Sequence, residues 1–91
     1  MYTKGKETDV NAKDSDGWTT LMYAVVFGDT EAVKLLIKKG ADINAKSNDG
    51  WTALIVAAYH RRTDIVRLLI DKGADIEAKD NEGETALMRA S

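Results

Sequence analysis

Residues 16–46 read DGWTTLMYAVVFGDTEAVKLLIKKGADINAK, and residues 49–79 read DGWTALIVAAYHRRTDIVRLLIDKGADIEAK. The two stretches are copies of one unit with a period of 33 residues, and 18 of the 33 aligned positions of that unit are identical. A fixed period of this length is typical of a stacked array of small structural units. We therefore expect a single domain, residues 1–91, divided into an N-terminal partial turn (1–13), two full repeats (14–46 and 47–79) and a shortened repeat (80–91).

Each full repeat is predicted to form an antiparallel pair of helices. In the second half of each copy the apolar residues recur at the i, i+3, i+4 spacing of one helical stripe, as in residues 33–37. Threonine hydroxyls can accept hydrogen bonds from the free backbone N–H groups at a helix start. On this basis Thr19 and Thr52 are predicted to cap the first helices, and Thr30 and Thr63 the second helices.

Glycines and polar turn residues predict where the helices end. Gly40 and Gly73 follow the second helices, at the position where a glycine in left-handed conformation commonly ends a helix. Residues 48–50 (Asn-Asp-Gly) and 81–83 (Asn-Glu-Gly) are predicted to form tight turns. Four residues of the first helices are expected in the core: Met22, Tyr23, Ile55 and Val56.

Composition excludes several kinds of site. The chain has 13 Lys and Arg against 15 Asp and Glu, a formal net charge of −2, no Cys and one His. It therefore offers neither a disulfide framework nor the usual zinc ligands, and we expect no metal and no cofactor. The acidic balance predicts no nucleic-acid partner, and the lack of a long apolar run predicts no membrane segment. The absence of Cys and of an apolar secretory signal favours an intracellular, cytoplasmic protein.

The repeat resembles that of ankyrin-repeat proteins. The resemblance is carried by Gly-x-Thr-x-Leu-x-x-Ala at residues 17–24, 50–57 and 83–90, and by Leu-Leu-Ile-x-Lys-Gly-Ala-Asp-Ile at residues 35–43 and 68–76. It covers nearly the whole chain. It implies an all-α ankyrin-repeat solenoid, in which antiparallel helix pairs are joined by β-turn or hairpin-like loops.

The same resemblance implies a non-enzymatic module that binds a partner protein through the turn tips and the inner face of the first helices. Carried over position by position, the candidate contact residues at the tips are Ser15, Asp16, Trp18, Asn48, Asp49, Trp51, Asn81, Glu82 and Glu84, and those on the inner helices are Val26, Phe27, Tyr59 and His60. Tryptophan and tyrosine dominate many interfaces because they combine a large apolar area with a polar group. The alternative is that both tryptophans only pack on the adjacent turn, and that Tyr59 and His60 are ordinary surface residues.

A different class of function also fits the pattern. The last repeat stops within its first helix, and arrays of this kind need about three repeats with polar caps. The chain is therefore also consistent with a structural or self-associating segment of a longer array, either a fragment or an engineered protein, which forms a homo-oligomer through its exposed repeat ends.

One departure from the family pattern is local. Arg61 stands where the family usually has Gly, as at Gly28, and would cost roughly 1 kcal/mol if the backbone there needs a positive φ. Arg61, Arg62, Arg67 and His60 form the one basic cluster. A cluster of this kind can bind a phosphate or an acidic partner, but so few positive charges usually form a solvated face, which is the interpretation we favour. His60 and Asp64 are spaced like a base and an orienting carboxylate, but they are expected on two different helices, so we predict no catalytic site.

Overall fold

The computed structural model of the protein describes residues 9–90. Over that range the chain forms five helices and no β-strand: α1 (Thr20–Phe27), α2 (Thr30–Lys38), α3 (Ala53–Tyr59), α4 (Thr63–Asp71) and α5 (Ala86–Ala90). The helices α1 and α2 pack together as one pair and α3 and α4 as the next, and α3 also packs against α1 and α5. The structure is an all-α solenoid, as the sequence predicts. Residues 1–8 of the expected N-terminal partial turn, and Ser91, lie outside the described residues.

The first helix of each pair begins where the sequence predicts. The Thr19 hydroxyl accepts from the Met22 N–H at 3.3 Å, and the Thr52 hydroxyl accepts from the Ile55 N–H at 3.2 Å. Both threonines are buried, so the bond also satisfies a hydroxyl that has no access to water. The predicted N-caps Thr19 and Thr52 are confirmed.

The predicted caps of the second helices, Thr30 and Thr63, are wrong by one residue. The cap of α2 is Asp29, whose carboxylate accepts from the Ala32 N–H at 3.1 Å. The corresponding residue before α4 is Arg62, which makes no side-chain capping bond. The chain reverses through a single left-handed residue, Gly28 or Arg61, and the second helix begins two residues later. Thr30 and Thr63 are therefore the first residues of the helices and not their caps.

The core lies between the helices. Of the four residues expected there, Met22, Ile55 and Val56 are buried, but Tyr23 is 41% exposed and that prediction is wrong. The Tyr23 hydroxyl donates to the Asp14 carboxylate, which is itself exposed. This partner holds the ring at the surface, although the residue belongs to an otherwise apolar run.

Arg61 adopts the left-handed conformation that its position requires. Its φ is 59°, and the φ of Gly28, at the same point of the preceding helix pair, is 72°. The turn is not rearranged, because the Arg61 N–H donates to the Ala58 carbonyl at 3.1 Å just as the Gly28 N–H donates to the Val25 carbonyl at 3.0 Å. Arg61 therefore carries the conformational cost that a non-glycine residue has in this region.

We expect Arg61→Gly to stabilise the chain by about 1 kcal/mol, because glycine adopts this φ without the Cβ penalty. Urea unfolding followed by circular dichroism measures the difference. The matched control is Gly28→Ala, which places a Cβ at φ 72° and 3.1 Å from Arg62 Cζ, and which should destabilise. An Arg61→Gly midpoint equal to or below that of the parent chain would show that the turn carries no such cost.

Side-chain ladders join neighbouring turns. The Asn11 amide donates to the Gly40 carbonyl at 3.2 Å and its oxygen accepts from the Asp42 N–H at 2.6 Å. Asn44, 33 residues later, makes the same two bonds to Gly73 and Asp75. Stacking is thus specified by hydrogen bonds between units as well as by apolar packing.

Candidate functional site

Three turns project from one side of the helices, and we call residues 14–18, 47–51 and 80–84 the tip turns. Each is held by the side chain of its first residue. Asp14 Oδ1 accepts from the N–H groups of Asp16 and Trp18, both at 2.9 Å. Ser47 Oγ and Asp80 Oδ1 make the equivalent pairs of bonds, at 3.3 and 3.1 Å for Ser47 and at 2.9 Å for both bonds of Asp80. The tight turns predicted from the sequence at 48–50 and 81–83 are confirmed.

Neighbouring tip turns are in direct contact. The Asn48 N–H donates to the Asp16 carbonyl at 3.0 Å, and the Asn48 side-chain amide donates to the Ser15 carbonyl at 2.9 Å. Asn81 repeats both bonds to Asp49 and Asn48, at 2.9 and 2.8 Å. The candidate residues Asn48 and Asn81 therefore position the turns, and both remain exposed.

Each candidate tryptophan contacts a tyrosine ring. The ring centroids of Trp18 and Tyr23 are 5.1 Å apart, and those of Trp51 and Tyr59 are 5.2 Å apart with an edge-to-face orientation. Tyr59 also contacts the His60 ring edge-to-face at 5.2 Å. Both tryptophans are half-buried, so they stiffen the turns and still present part of each indole to solvent.

The inner helices leave large apolar side chains uncovered. Phe27, at the end of α1, is 76% exposed, and Tyr59, at the end of α3, is 53% exposed. His60 is also exposed, whereas Val26 is partly buried. Val26 differs from the other inner-helix candidates because its carbonyl oxygen accepts from Arg62 Nη2 at 2.6 Å.

The structure adds two residues to this surface that the sequence reasoning missed, Tyr23 and Arg89. Tyr23 lies nine residues after Asp14 and donates to it, and Arg89 lies nine residues after Asp80 and pairs with it. The corresponding residues of the middle unit, Ser47 and Val56, are both uncharged. In the first and third units an aspartate is followed nine residues later by a hydrogen-bond donor, whereas the middle unit has neither. This pattern is the signal in the sequence that could have revealed both contacts.

Arg89 ties the last tip turn to the preceding one. Its Nε and Nη2 donate to Asp80 Oδ2 at 2.9 and 2.7 Å, and Nη2 also reaches Glu82 Oε1 at 2.9 Å. The guanidinium lies over the Trp51 ring, 5.2 Å from its centroid, in a cation–π arrangement. These contacts to both acids raise the pKa of Arg89 above its ordinary value, so it stays charged.

Asp14 and Asp80, which begin the first and third tip turns, both have lowered pKa values. The pKa of Asp14 is lowered chiefly by the hydrogen bond from the Tyr23 hydroxyl, and then by the Trp18 N–H; the same bond raises the pKa of Tyr23. Burial, the largest single influence at Asp80, raises the pKa of that carboxyl. The bonds from the Glu84 N–H, the Arg89 guanidinium and the Glu82 N–H together outweigh burial, so the pKa of Asp80 is lowered below its ordinary value of 3.8.

Stability is expected to fall as the pH drops below about 4. A carboxylate whose pKa is lowered in the folded state stabilises the fold at every pH above its ordinary pKa. That contribution is lost as the pH falls through the folded-state pKa. Asp80→Ser should weaken this dependence. Serine at the equivalent Ser47 already makes the two turn bonds, and Asp14 keeps its own titration. Urea midpoints measured across the acid range test this. A variant whose midpoint follows the same pH curve as the parent chain would contradict the assignment.

Arg62 corrects the interpretation of the basic cluster as a solvated face. Arg62 is half-buried. Its Nη2 donates to the carbonyl of Val26, 36 residues earlier in the chain, and its guanidinium lies next to Gly28. Arg61, Arg67 and His60 are exposed. His60 is the C-cap that follows α3, whereas Asp64 lies in the first turn of the next helix, α4.

In residues 9–90 no group of three or more His, Cys, Asp or Glu side chains is arranged to hold a metal ion. None of the helices in that range combines the length and apolar character needed to cross a bilayer.

The fold and this surface define a helical-repeat solenoid with projecting turns and an exposed aromatic inner face. The family of ankyrin repeats (three copies) matches residues 2–80 and, in a second placement, residues 46–91. The chain therefore belongs to the ankyrin-repeat family, as its sequence motifs indicate.

A relative from Drosophila melanogaster, the G patch domain and ankyrin repeat-containing protein 1 homolog, is 51% identical over 37 residues. That match covers 41% of this chain and 11% of the relative, so the chain corresponds to a small part of that protein. Ankyrin repeats are generally protein-interaction modules and are typically non-enzymatic.

Proposed function

We propose that this chain binds a partner protein through its tip turns and the inner face of α1 and α3. The single observation that carries the proposal is the exposure of Phe27 and Tyr59 at the ends of α1 and α3, with Tyr59 packed against the half-buried Trp51. The proposed contact residues are those expected from the sequence, Ser15, Asp16, Trp18, Val26, Phe27, Asn48, Asp49, Trp51, Tyr59 and His60, together with Tyr23 from the structure.

Two contributions favour binding at this face: the apolar area that its aromatic side chains bury, and the fixed positions that its tryptophans already hold. Burying a phenylalanine side chain on binding contributes about 1.5–3 kcal/mol relative to leaving it in water. Trp18 and Trp51 are already held by their tyrosine neighbours, so ordering them on binding costs less conformational entropy than it would for free side chains. Aromatic groups of this kind carry most of the binding energy in many interfaces.

Binders selected from a displayed peptide library against the folded chain test the proposal. We expect Phe27→Ser and Tyr59→Ser each to weaken the selected binders by about tenfold or more, because each removes an exposed aromatic contact. The matched controls are Leu35→Ser and Ile70→Ser, which change exposed apolar residues on the outer helices α2 and α4. Equal losses in both sets, or a loss only in the controls, would place binding elsewhere and overturn the proposal.

A second candidate, self-association, is favoured by a different observation. Leu87 is 77% exposed, and the next residue, Met88, and Ile76 in the preceding turn region are also exposed. Light scattering after size exclusion, over a series of concentrations, separates the two possibilities. A mass of 10.0 kDa at every concentration would reject self-association. A larger mass that falls to this value in Leu87→Glu would support it.

A further inference from the structure

The tip turns that border the proposed binding face are uniformly acidic. They contain six carboxylates and no lysine or arginine: Asp14, Asp16, Asp49, Asp80, Glu82 and Glu84. Among the described residues no hydrogen bond or ion pair reaches the carboxylates of Asp16 and Asp49, which are exposed. These two charges are therefore available to a ligand that lies on the aromatic face.

In the described part of the chain, four cations lie next to the tip turns. Arg89 is held by Asp80 and Glu82. Lys13 and Lys46, which precede the first two tip turns, donate to the carbonyl oxygens of Lys46 and Lys79 at 2.9 and 3.1 Å. Lys79, which precedes the third tip turn, is exposed. The six carboxylates outnumber these four cations, so the face presents net negative charge beside exposed aromatic rings.

The outer helices have the opposite balance. Around α2 and α4 the exposed cations outnumber the exposed acids: Lys34, Lys38, Lys39, Arg61, Arg67 and Lys72 against Asp29, Glu31, Asp64 and Asp71. A positively charged ligand is therefore attracted to the tip turns and repelled from the outer surface, which orients its approach.

The spacing of the carboxylates selects the shape of that ligand. Asp16, Asp49 and Glu82 occupy the same position in successive tip turns. Glu82 shares Arg89 with Asp80, and these two carboxylates together carry one negative charge more than Arg89 balances. Units stacked at ordinary helix-packing distance are roughly 10 Å apart. A polyproline II segment has three residues per turn and rises about 3.1 Å per residue, so side chains three residues apart lie on one face and about 9 Å from each other. Basic side chains three residues apart on such a segment therefore meet successive carboxylates.

We propose that the occupant of the aromatic face is a basic segment of a partner protein in polyproline II conformation, with lysine or arginine at every third position. The inference rests on the proposed function, since it names the partner of the same face. Each basic head pairs with a tip carboxylate, while its apolar stem lies on the aromatic side chains. The chain's own Arg89 shows this mode, because its guanidinium covers the Trp51 ring while it pairs with Asp80.

The test uses short glycine–serine peptides as probes. One carries lysines at its first, fourth and seventh positions, a second carries three consecutive lysines, and a third carries glutamates in place of the spaced lysines. Trp18 and Trp51 are the two tryptophans of the chain, so their fluorescence reports on the face directly. We expect the spaced-lysine peptide to bind most tightly and less tightly as salt is raised, and the glutamate peptide to give no saturable change.

A matched pair of triple variants tests the carboxylates. Asp16→Asn with Asp49→Asn and Glu82→Gln should weaken the spaced-lysine peptide by about tenfold. The control, Asp64→Asn with Asp71→Asn and Glu31→Gln, makes the same number and kind of charge changes on the outer helices and should change the affinity by less than about twofold. Equal affinity for spaced and consecutive lysines, equal effects of the two triple variants, or no saturable binding would overturn the inference.

The library-selected binders separate this inference from the proposed function. Selected peptides that depend on Phe27 and Tyr59 and that carry regularly spaced basic residues support both. Selected peptides that depend on these aromatics but are neutral or acidic leave the proposed function standing and overturn the basic occupant. Selected peptides that do not depend on the aromatics overturn the proposed function.

Discussion

Gly50→Ala is expected to destabilise the chain by about 3 kcal/mol, through a conformational cost and a steric cost. Gly50 is buried in the second tip turn at φ 82°, where an L-residue is strained. A Cβ there would lie 2.6 Å from Asn81 Oδ1 and 2.8 Å from Asn81 N. The second of these atoms is backbone that donates to the Asp49 carbonyl, so it cannot move without breaking the contact between the turns.

Urea unfolding followed by circular dichroism measures this loss, and Gly83→Ala is its control. Gly83 has the same role in the next tip turn, with φ 78°, but nothing lies within 4 Å of a Cβ built on it. Gly83→Ala should therefore show only the conformational cost of about 1–2 kcal/mol. Equal losses for the two variants would mean that contact between the tip turns does not contribute to stability.

Leu54→Ala is expected to cost about 3 kcal/mol, because it removes a buried side chain from the middle of the array and leaves a cavity. Leu54 is 2% exposed in α3, the helix that packs against α1, α4 and α5. Loss of its side chain therefore weakens contacts on both sides of the central unit. The same urea titration measures the effect.

The control for Leu54 is provided by the repeat itself. Leu87 occupies the same position of the Gly-x-Thr-x-Leu motif 33 residues later and is 77% exposed. Leu87→Ala should change the unfolding free energy by less than about 0.5 kcal/mol, as is usual for surface positions. A Leu54→Ala loss as small as that of Leu87→Ala would contradict the packing described for α3.

Much of this fold follows from the period and from residues whose role is local. Thr19 and Thr52 cap helices through bonds to residues three positions away, and Gly40 and Gly73 adopt φ values of 100° and 102° just after helix ends. Such features depend on a few neighbouring residues, so a repeated pattern is enough to predict them.

The features that the sequence did not reveal depend on geometry or on partners far along the chain. Asp29 and Thr30 are both good capping residues, and only the tightness of the preceding turn decides between them. Tyr23 stands in an apolar run, and its exposure follows from the bond to Asp14. Arg62 stands in a basic cluster typical of a solvated face, and its bond to Val26 is not visible in the sequence because it joins residues of two helix pairs, 36 positions apart.

The candidate surface was predictable in part for the same reasons. The repeated tip turns identify Trp18, Trp51 and their neighbours by position alone. Arg89 could not be identified in this way, because the equivalent positions hold Tyr23 and Val56 and the residue departs from the repeat. A surface built from variable positions on a constant frame has to be found from the contacts between side chains.

The central claim, that partners bind the aromatic face, is tested most directly by the nitrogen–proton correlation spectrum of the labelled chain. The indole N–H groups of Trp18 and Trp51 give two signals outside the backbone region. On addition of a library-selected binder, we predict that both indole signals and the amides around Tyr59 shift, while those of Thr30–Lys38 and Thr63–Asp71 do not. Shifts confined to these outer helices, with both indole signals unmoved, would contradict the account.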